Sequence, residues 1–294
     1  MFYITTDATT DLPKDFTRDN FGVIPMIYTI NNLEYGVDKT LTCKEFYEKL
    51  RNGAMPTTSQ INSYTAKEFL KPILEDGNDI LHIAFSSGLS STYDSLVSAT
   101  NELREEFPDR KIFLIDSKAA STGEGLLVHY ALDARDSGMN IDECYNYTLG
   151  LVDKISHYFT PNDLFHLQRG GRVSKATAIA GTLLQIKPVL YCNKNGKLVA
   201  IEKVKGRKKA LSALVDLMED KMTSVEENKI VYISNADCYE DAVYVKNKIT
   251  EKFGITNIVI TDIGPVIGTH AGAGTVALFF IGHDKTSPND ETLK

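Results

Sequence analysis

No apolar run in the chain approaches the roughly 18 residues that a membrane-spanning helix requires, so integral membrane association is not expected. The opening residues, MFYITTDATTD, have neither the basic region nor the long apolar core of a secretory signal. The expected location is therefore the cytoplasm. Cysteine is scarce: Cys43, Cys144, Cys192 and Cys238 are widely spaced, with no C-x-x-C pair. That spacing argues against both a zinc cluster and a disulfide scaffold. His82 lies inside an apolar stretch and reads as a core histidine, and His129, His157, His166 and His283 have no companions at metal-ligand spacing, so no metal site is expected. Positive charge is in deficit, with 32 Lys and Arg against 39 Asp and Glu and a net charge of −7. A general nucleic-acid binder needs a cationic face, so that class is set aside. There is no G-x-x-x-x-G-K-[ST] loop, no internal repeat, and no low-complexity stretch apart from the polar tail DKTSPNDETLK, which is expected to fray.

What is present is a core-forming chain of 294 residues, 43% of them hydrophobic. That length suggests two domains. FYITTD (2–7), ILHIAF (80–85) and KIFLID (111–116) read as buried strands. Helix starts lie between and after them: Thr42 with Glu45, Thr65 with Glu68, and Asn140 with Glu143 each place a capping side chain three residues before a carboxylate. Strand, helix, strand in this order predicts right-handed crossovers and a parallel α/β sheet.

The second half reads as α/β with a mixed sheet. IKPVLYC and KLVAIEKV flank NKNG as a hairpin, with Asn and Gly expected to supply positive φ angles. A helix at about 207–222, the strand KIVYIS, a helix at 239–252, the strand NIVITDI, a glycine-rich loop and a final strand TVALFFIG follow. A boundary near DSGMN (136–140) divides the chain into an N-terminal domain 1–138, a C-terminal domain 139–284 and a tail 285–294.

Three segments following strand ends carry the chemistry. SSGLSST (86–92) opens a helix near Tyr93 and directs hydroxyls and free amides toward one point, an arrangement suited to an anion. Simple capping by Ser90 or Ser91 needs only one hydroxyl. TTSQ (57–60) is a second hydroxyl-bearing entrance to a helix. GPVIGTHAGAGTV (264–276) runs into a G-x-G-x-x-A pattern at Gly272, Gly274 and Ala277, but too little chain follows for the helix, strand and acidic residue of a dinucleotide site. No cofactor is expected. GLSST resembles a nucleophile elbow with Thr92 where the second glycine belongs, leaving a serine hydrolase of Ser90, Asp116 or Asp262, and His270 as an alternative. A binder of another acidic small molecule, such as a phosphorylated metabolite, is a further one. The basic segments RGGRVSK (169–175) and KVKGRKK (203–209) are either solvated surface or a docking patch for an acidic partner.

TTDATTDLP (5–13), TTSQ, SSGLSSTY (86–93), QRGGRVS (168–174), VKGRKKAL (204–211) and GPVIGTHAGAGTVALFF (264–280) together resemble the DegV family, in family order across nearly the whole chain. The resemblance implies a two-domain α/β protein with a parallel N-terminal sheet, a mixed C-terminal sheet and one long-chain fatty acid between them. It further implies a non-catalytic subunit that presents the acid's carboxylate to a separate fatty acid kinase subunit, which makes acyl phosphate. On this pattern the carboxylate is held by Thr58 and Ser59 of T-S-Q, by Ser86, Ser87 and Ser90 of the serine loop, and by Gly268, Thr269 and His270. Arg169, Arg172 and Arg207 would face the kinase. Ile61 and Ser91 depart from a common proline and glycine without removing a polar group. An acyl tail needs an apolar tunnel, stabilised by roughly 0.8 kcal/mol per CH2 buried; Ile83, Phe85, Leu126, Val128 and Ile179 are candidates for its lining.

Overall fold

The structure is a computed structural model that describes residues 2–174 and 185–285. The three strands expected in the first half form with ends shifted by one residue at most. β1 (Phe2–Asp7) pairs in parallel with β2 (Phe21–Ile24) and with β6 (Asp79–Ala84), and β6 pairs in parallel with β7 (Ile112–Asp116), giving the order β2-β1-β6-β7. Alternation along these strands feeds two cores. Ile80 and Ile112 pack with Leu70, Leu74 and Leu103 of α2 (Ser63–Glu75) and α3 (Thr92–Glu106). Their neighbours Leu81, Ile83 and Ile115 point the other way, into a core shared with α4 (Thr122–Asp136) and α5 (Ile141–Leu151).

The second sheet is mixed, in the order β10-β9-β8-β13-β11-β12. Its strands are β8 (Ile155–Thr160), β9 (Ile186–Cys192), β10 (Leu198–Lys205), β11 (Val231–Asn235), β12 (Ile258–Asp262) and β13 (Val276–Ile281), and the short helix α6 (Phe165–Arg169) follows β8. Phe159, Ala277 and Phe279 face the core containing α4, whereas Tyr158, Leu278 and Phe280 pack under α7 (Arg207–Lys221) and α8 (Tyr239–Phe253). Helix α4 thus contacts both sheets, and most of its side chains are buried.

Several local expectations are corrected. Helix α2 begins at Ser63 because Asn62 caps it, accepting the Thr65 N–H at 2.8 Å; Thr65 and Glu68 lie inside the helix. The boxes at Thr42, opening α1 (Cys43–Arg51), and at Asn140 form as expected. In the hairpin turn the positive φ falls on Gly196 alone (+70°), while Asn193 contributes its side chain, accepting the N–H groups of Asn195 and Lys197. The glycine-rich stretch is a short helix, α9 (Pro265–Ala271), because Pro265 at its first turn is pre-set for helical φ and Gly272 at φ +77° terminates it. A small antiparallel sheet of β3 (Tyr28–Ile30), β4 (Leu33–Tyr35) and β5 (Thr57–Thr58) was not legible, since strands this short carry little alternation. Lys285, assigned to the frayed tail, is buried and donates from Nζ to the Lys118 carbonyl at 2.7 Å; residues 286–294 lie outside the described residues.

Candidate functional site

A cavity of about 420 Å³ opens where the serine loop, β5, α9 and the inner face of the mixed sheet converge. That size falls in the range of about 300–1,000 Å³ usual for small-molecule sites. Thr58, Ser59, Gln60, Ser87, Ser90, Ser91, Arg172 and His270 contribute its polar wall. Much of the remainder is hydrocarbon, including Met26, Phe85, Leu89, Phe159, Leu167 and Ile267.

Backbone pairing sets the polar groups in place. Thr58 sits on β5, whose register with β3 matches it to Tyr28, and the next residue, Ser59, donates its N–H to the Ile27 carbonyl at 3.0 Å. This directs the Thr58 hydroxyl to Nε2 of His270 at 2.8 Å. His270 lies in the last turn of α9, and its Nδ1 has no hydrogen-bond partner among the described residues. Burial, then Arg172, Arg169 and His166, lower its pKa to about 4, so the imidazole is neutral near pH 7. If its single proton sits on Nε2, the ring donates to Thr58 and frees the Thr58 hydrogen to point at a ligand oxygen.

The serine loop divides its labour. Ser90 accepts the Thr92 N–H at 3.2 Å and donates to the Thr92 hydroxyl at 3.0 Å at the start of α3. Ser87 accepts from Lys118 Nζ at 2.8 Å and donates its N–H to Asp116. Ser86 is buried behind the wall, where it donates to the Gly196 carbonyl at 2.8 Å and ties the loop to the hairpin turn. Gly268 and Thr269 also stand outside the cavity wall. A Cβ on Gly268 would lie 2.5 Å from the Tyr47 hydroxyl, so glycine lets α9 rest on α1; Thr269 is buried and bonds back to the Pro265 carbonyl.

All three arginines assigned to a partner face are bonded within the chain. Arg169 donates to the carbonyls of Pro56 and Thr269, and Arg207 to Asp241 and to the carbonyls of Thr160 and Gly274. Arg172 donates to the carbonyls of Leu89 and Gly170 while lining the cavity. It brings a positive charge to the site. Of the proposed tunnel residues, Phe85 lines the cavity, Ile83, Leu126 and Val128 are core, and Ile179 lies outside the described residues, as does Lys175 of the first basic segment.

His157 also lines the cavity, a position that the sequence did not single out. It lies on the same face of β8 as Phe159, is 5% exposed, and has no partner for Nδ1 among the described residues. Burial and the Lys285 ammonium hold its pKa to about 3. The i, i+2 spacing from Phe159 was the available signal, but β8 itself was not recognised. The hydrolase constellation does not assemble: Ser90 bonds Thr92 and not His270, and the His270 ring has no acidic partner among the described residues. Among the described residues no group of three or more His, Cys, Asp or Glu side chains is placed to hold a metal ion, and no helix is long and apolar enough to cross a membrane.

Fold and site together define an α/β protein with a partly enclosed amphipathic cavity between a parallel and a mixed sheet. The DegV family model matches residues 1–283, and the chain belongs to that family. A DegV domain-containing protein of Clostridium perfringens is 44% identical over 287 residues, 97% of this chain and 98% of its own length. The crystal structure of a fatty acid binding DegV family protein from Streptococcus agalactiae is similar with a TM-score of 0.84 and 29% identity, over 97% of this chain and 99% of its own. A fatty acid kinase B3 protein of Streptococcus pneumoniae, loaded with linoleic acid, shares the fold at TM-score 0.84 and 21% identity, over 96% of this chain and 99% of its own.

Proposed function

We propose that this protein binds one long-chain fatty acid, with its carboxylate among Thr58, Ser90, Arg172 and His270 and its alkyl chain in the apolar interior. The observation that carries this reading is the pairing of Thr58 with His270 at 2.8 Å on the wall of a cavity otherwise rich in hydrocarbon. Hydroxyl donors and one arginine satisfy a carboxylate without a metal, and each CH2 buried adds roughly 0.8 kcal/mol. The fatty acid binding of the Streptococcus agalactiae relative supports it.

The bound acid is further read as a substrate presented to a separate fatty acid kinase subunit, with no catalysis by this chain. Exposed Ser59 and Ser91 at the cavity wall fit a carboxylate that a second protein must reach. Arg169 and Arg207 act on this reading as braces for the surface the kinase meets, and the division of the chain near residue 138 leaves the ligand between two domains. Native mass spectrometry of protein from its host tests the ligand: a bound fatty acid is expected, and a phosphorylated metabolite would replace the reading. Adding a fatty acid kinase subunit with ATP and following acyl phosphate tests the presentation step.

A further inference from the structure

The N-terminal TTDATTD motif (5–11) lines none of the cavity except through its neighbours, yet it contains four buried threonines and two carboxylates that the binding reading leaves without a role. Asp7 is fully buried in the sheet and accepts the N–H of Thr9 at 3.0 Å on Oδ1 and the N–H of Phe85 at 2.9 Å on Oδ2. Phe85 is the residue that leads into the serine loop. Asp11 accepts the N–H of Gly264 at 2.8 Å and the hydroxyl of Ser121 at 2.6 Å. Gly264 leads into the helix that carries His270, and Ser121 lines the cavity. One motif therefore holds the roots of both polar walls.

The Thr9 hydroxyl lies 2.6 Å from Asp7 Oδ1 and also 2.6 Å from Glu124 Oε2. A hydroxyl has one hydrogen to donate, and an ionised carboxylate has none. Two such short contacts therefore require a proton on one of the carboxyls. Burial raises the pKa of both acids, but two backbone N–H donors oppose it at Asp7, whereas among the described residues Glu124 receives only the Thr6 hydroxyl, at 2.9 Å, besides the Thr9 contact.

We propose that Asp7 and Asp11 are positioning residues for the carboxylate-binding loops, and that Glu124 is kept protonated, donating through the Thr9 hydroxyl to Asp7. Burial raises the pKa of Glu124 well above its ordinary value, and the Asp7 charge raises it further. The other charged groups felt in this cluster are also carboxylates: Asp11 acts on Glu124, and Asp262 and Asp7 act on Asp11. Burying one charge in place of two lowers the desolvation cost, and the neutral acid becomes the donor that completes the chain.

The positioning role rests on the fatty acid reading, whereas the protonation state does not. Infrared spectra of the ligand-free protein at neutral pH, taken as wild type minus Glu124→Gln so that Asp11, raised by burial to about 7, cancels, are expected to show a protonated-carboxyl band. Titration with oleic acid is expected to leave Glu124→Gln, an isostere of the neutral acid, close to wild type. In Asp7→Asn the amide NH2 opposes a backbone N–H, and affinity is expected to fall roughly tenfold or more. Thr9→Ser should keep wild-type affinity and Thr9→Val should lose it, which separates the relay from simple packing even if Asp7→Asn does not fold. Absence of the band, or loss of binding in Glu124→Gln, overturns the proposal, as does wild-type binding in Thr9→Val. Failure of the wild type to take up oleic acid while the band is present overturns the ligand reading and the positioning role but leaves the shared proton standing.

Discussion

Thr58 Oγ1 and His270 Nε2 lie 2.8 Å apart although 212 residues separate them in the chain. The bond joins a two-residue strand to the last turn of a seven-residue helix, and neither element would hold its side chain in place alone. Thr58→Val and His270→Ala are each expected to weaken oleic acid binding by about 1.5–3 kcal/mol, the scale of a hydrogen bond to a charged group. Because the two act as a unit, the double variant is expected to lose little more than either single one. Calorimetric titration of the cycle measures this, and additive losses would show that the residues act independently.

Arg172 bears on His270 through charge. It is the first-named of the charged neighbours that, after burial, lower the His270 pKa to about 4. Arg172→Gln removes a positive neighbour, so the His270 pKa should rise toward its ordinary value. Histidine proton shifts followed by NMR across the acid range check the direction, and oleic acid affinity should fall in the same variant.

His157 lines the cavity with a neutral ring whose Nδ1 lacks a partner, an awkward neighbour for an alkyl chain. His157→Phe, set beside Phe159 and Phe279, is expected to bind an unsubstituted saturated acid more tightly, by on the order of 1 kcal/mol. Equal or weaker binding in a folded variant would place the ring away from the acyl chain.

The same variant tests a stability effect. Below a pH of roughly 6.5 the unfolded chain protonates this histidine, while the folded protein resists down to about 3. The unfolded state then holds more protons, so stability falls as the pH is lowered through that window. Removing the imidazole should spare roughly 2 kcal/mol of that loss at pH 5 relative to pH 7. Urea unfolding of wild type and His157→Phe at the two pH values reads the difference.

Ser90 bonds to Thr92, and among the described residues it makes no hydrogen bond to a histidine that could take its proton. A fluorophosphonate probe should therefore leave Ser90 unlabelled. Stoichiometric labelling would revive the hydrolase reading and sink the carrier reading.

Much of the fold is local physics. The buried strand Phe2–Asp7, the capping boxes at Thr42 and Asn140 and the hairpin around Gly196 follow from patterns spanning a few residues, and the sequence alone made them legible. The resemblance of the hydroxyl-rich and glycine-rich blocks to the DegV family marked Thr58, Ser90 and His270 as candidates for one site. Which side chains face the cavity was decided only by the tertiary structure. Ser86 and Ser87 are neighbours of the same type, yet one is turned inward to Gly196 and the other lines the cavity. His157 sits among apolar strand residues, and only the pairing of β8 with β13, Phe279 opposite His157, decides which way it points. Arg172 looked like surface until its bonds to Leu89 and Gly170 drew it into the wall. Strand and helix propensity are set by near neighbours in sequence, whereas facing is set by register and packing between segments that can lie far apart in the chain.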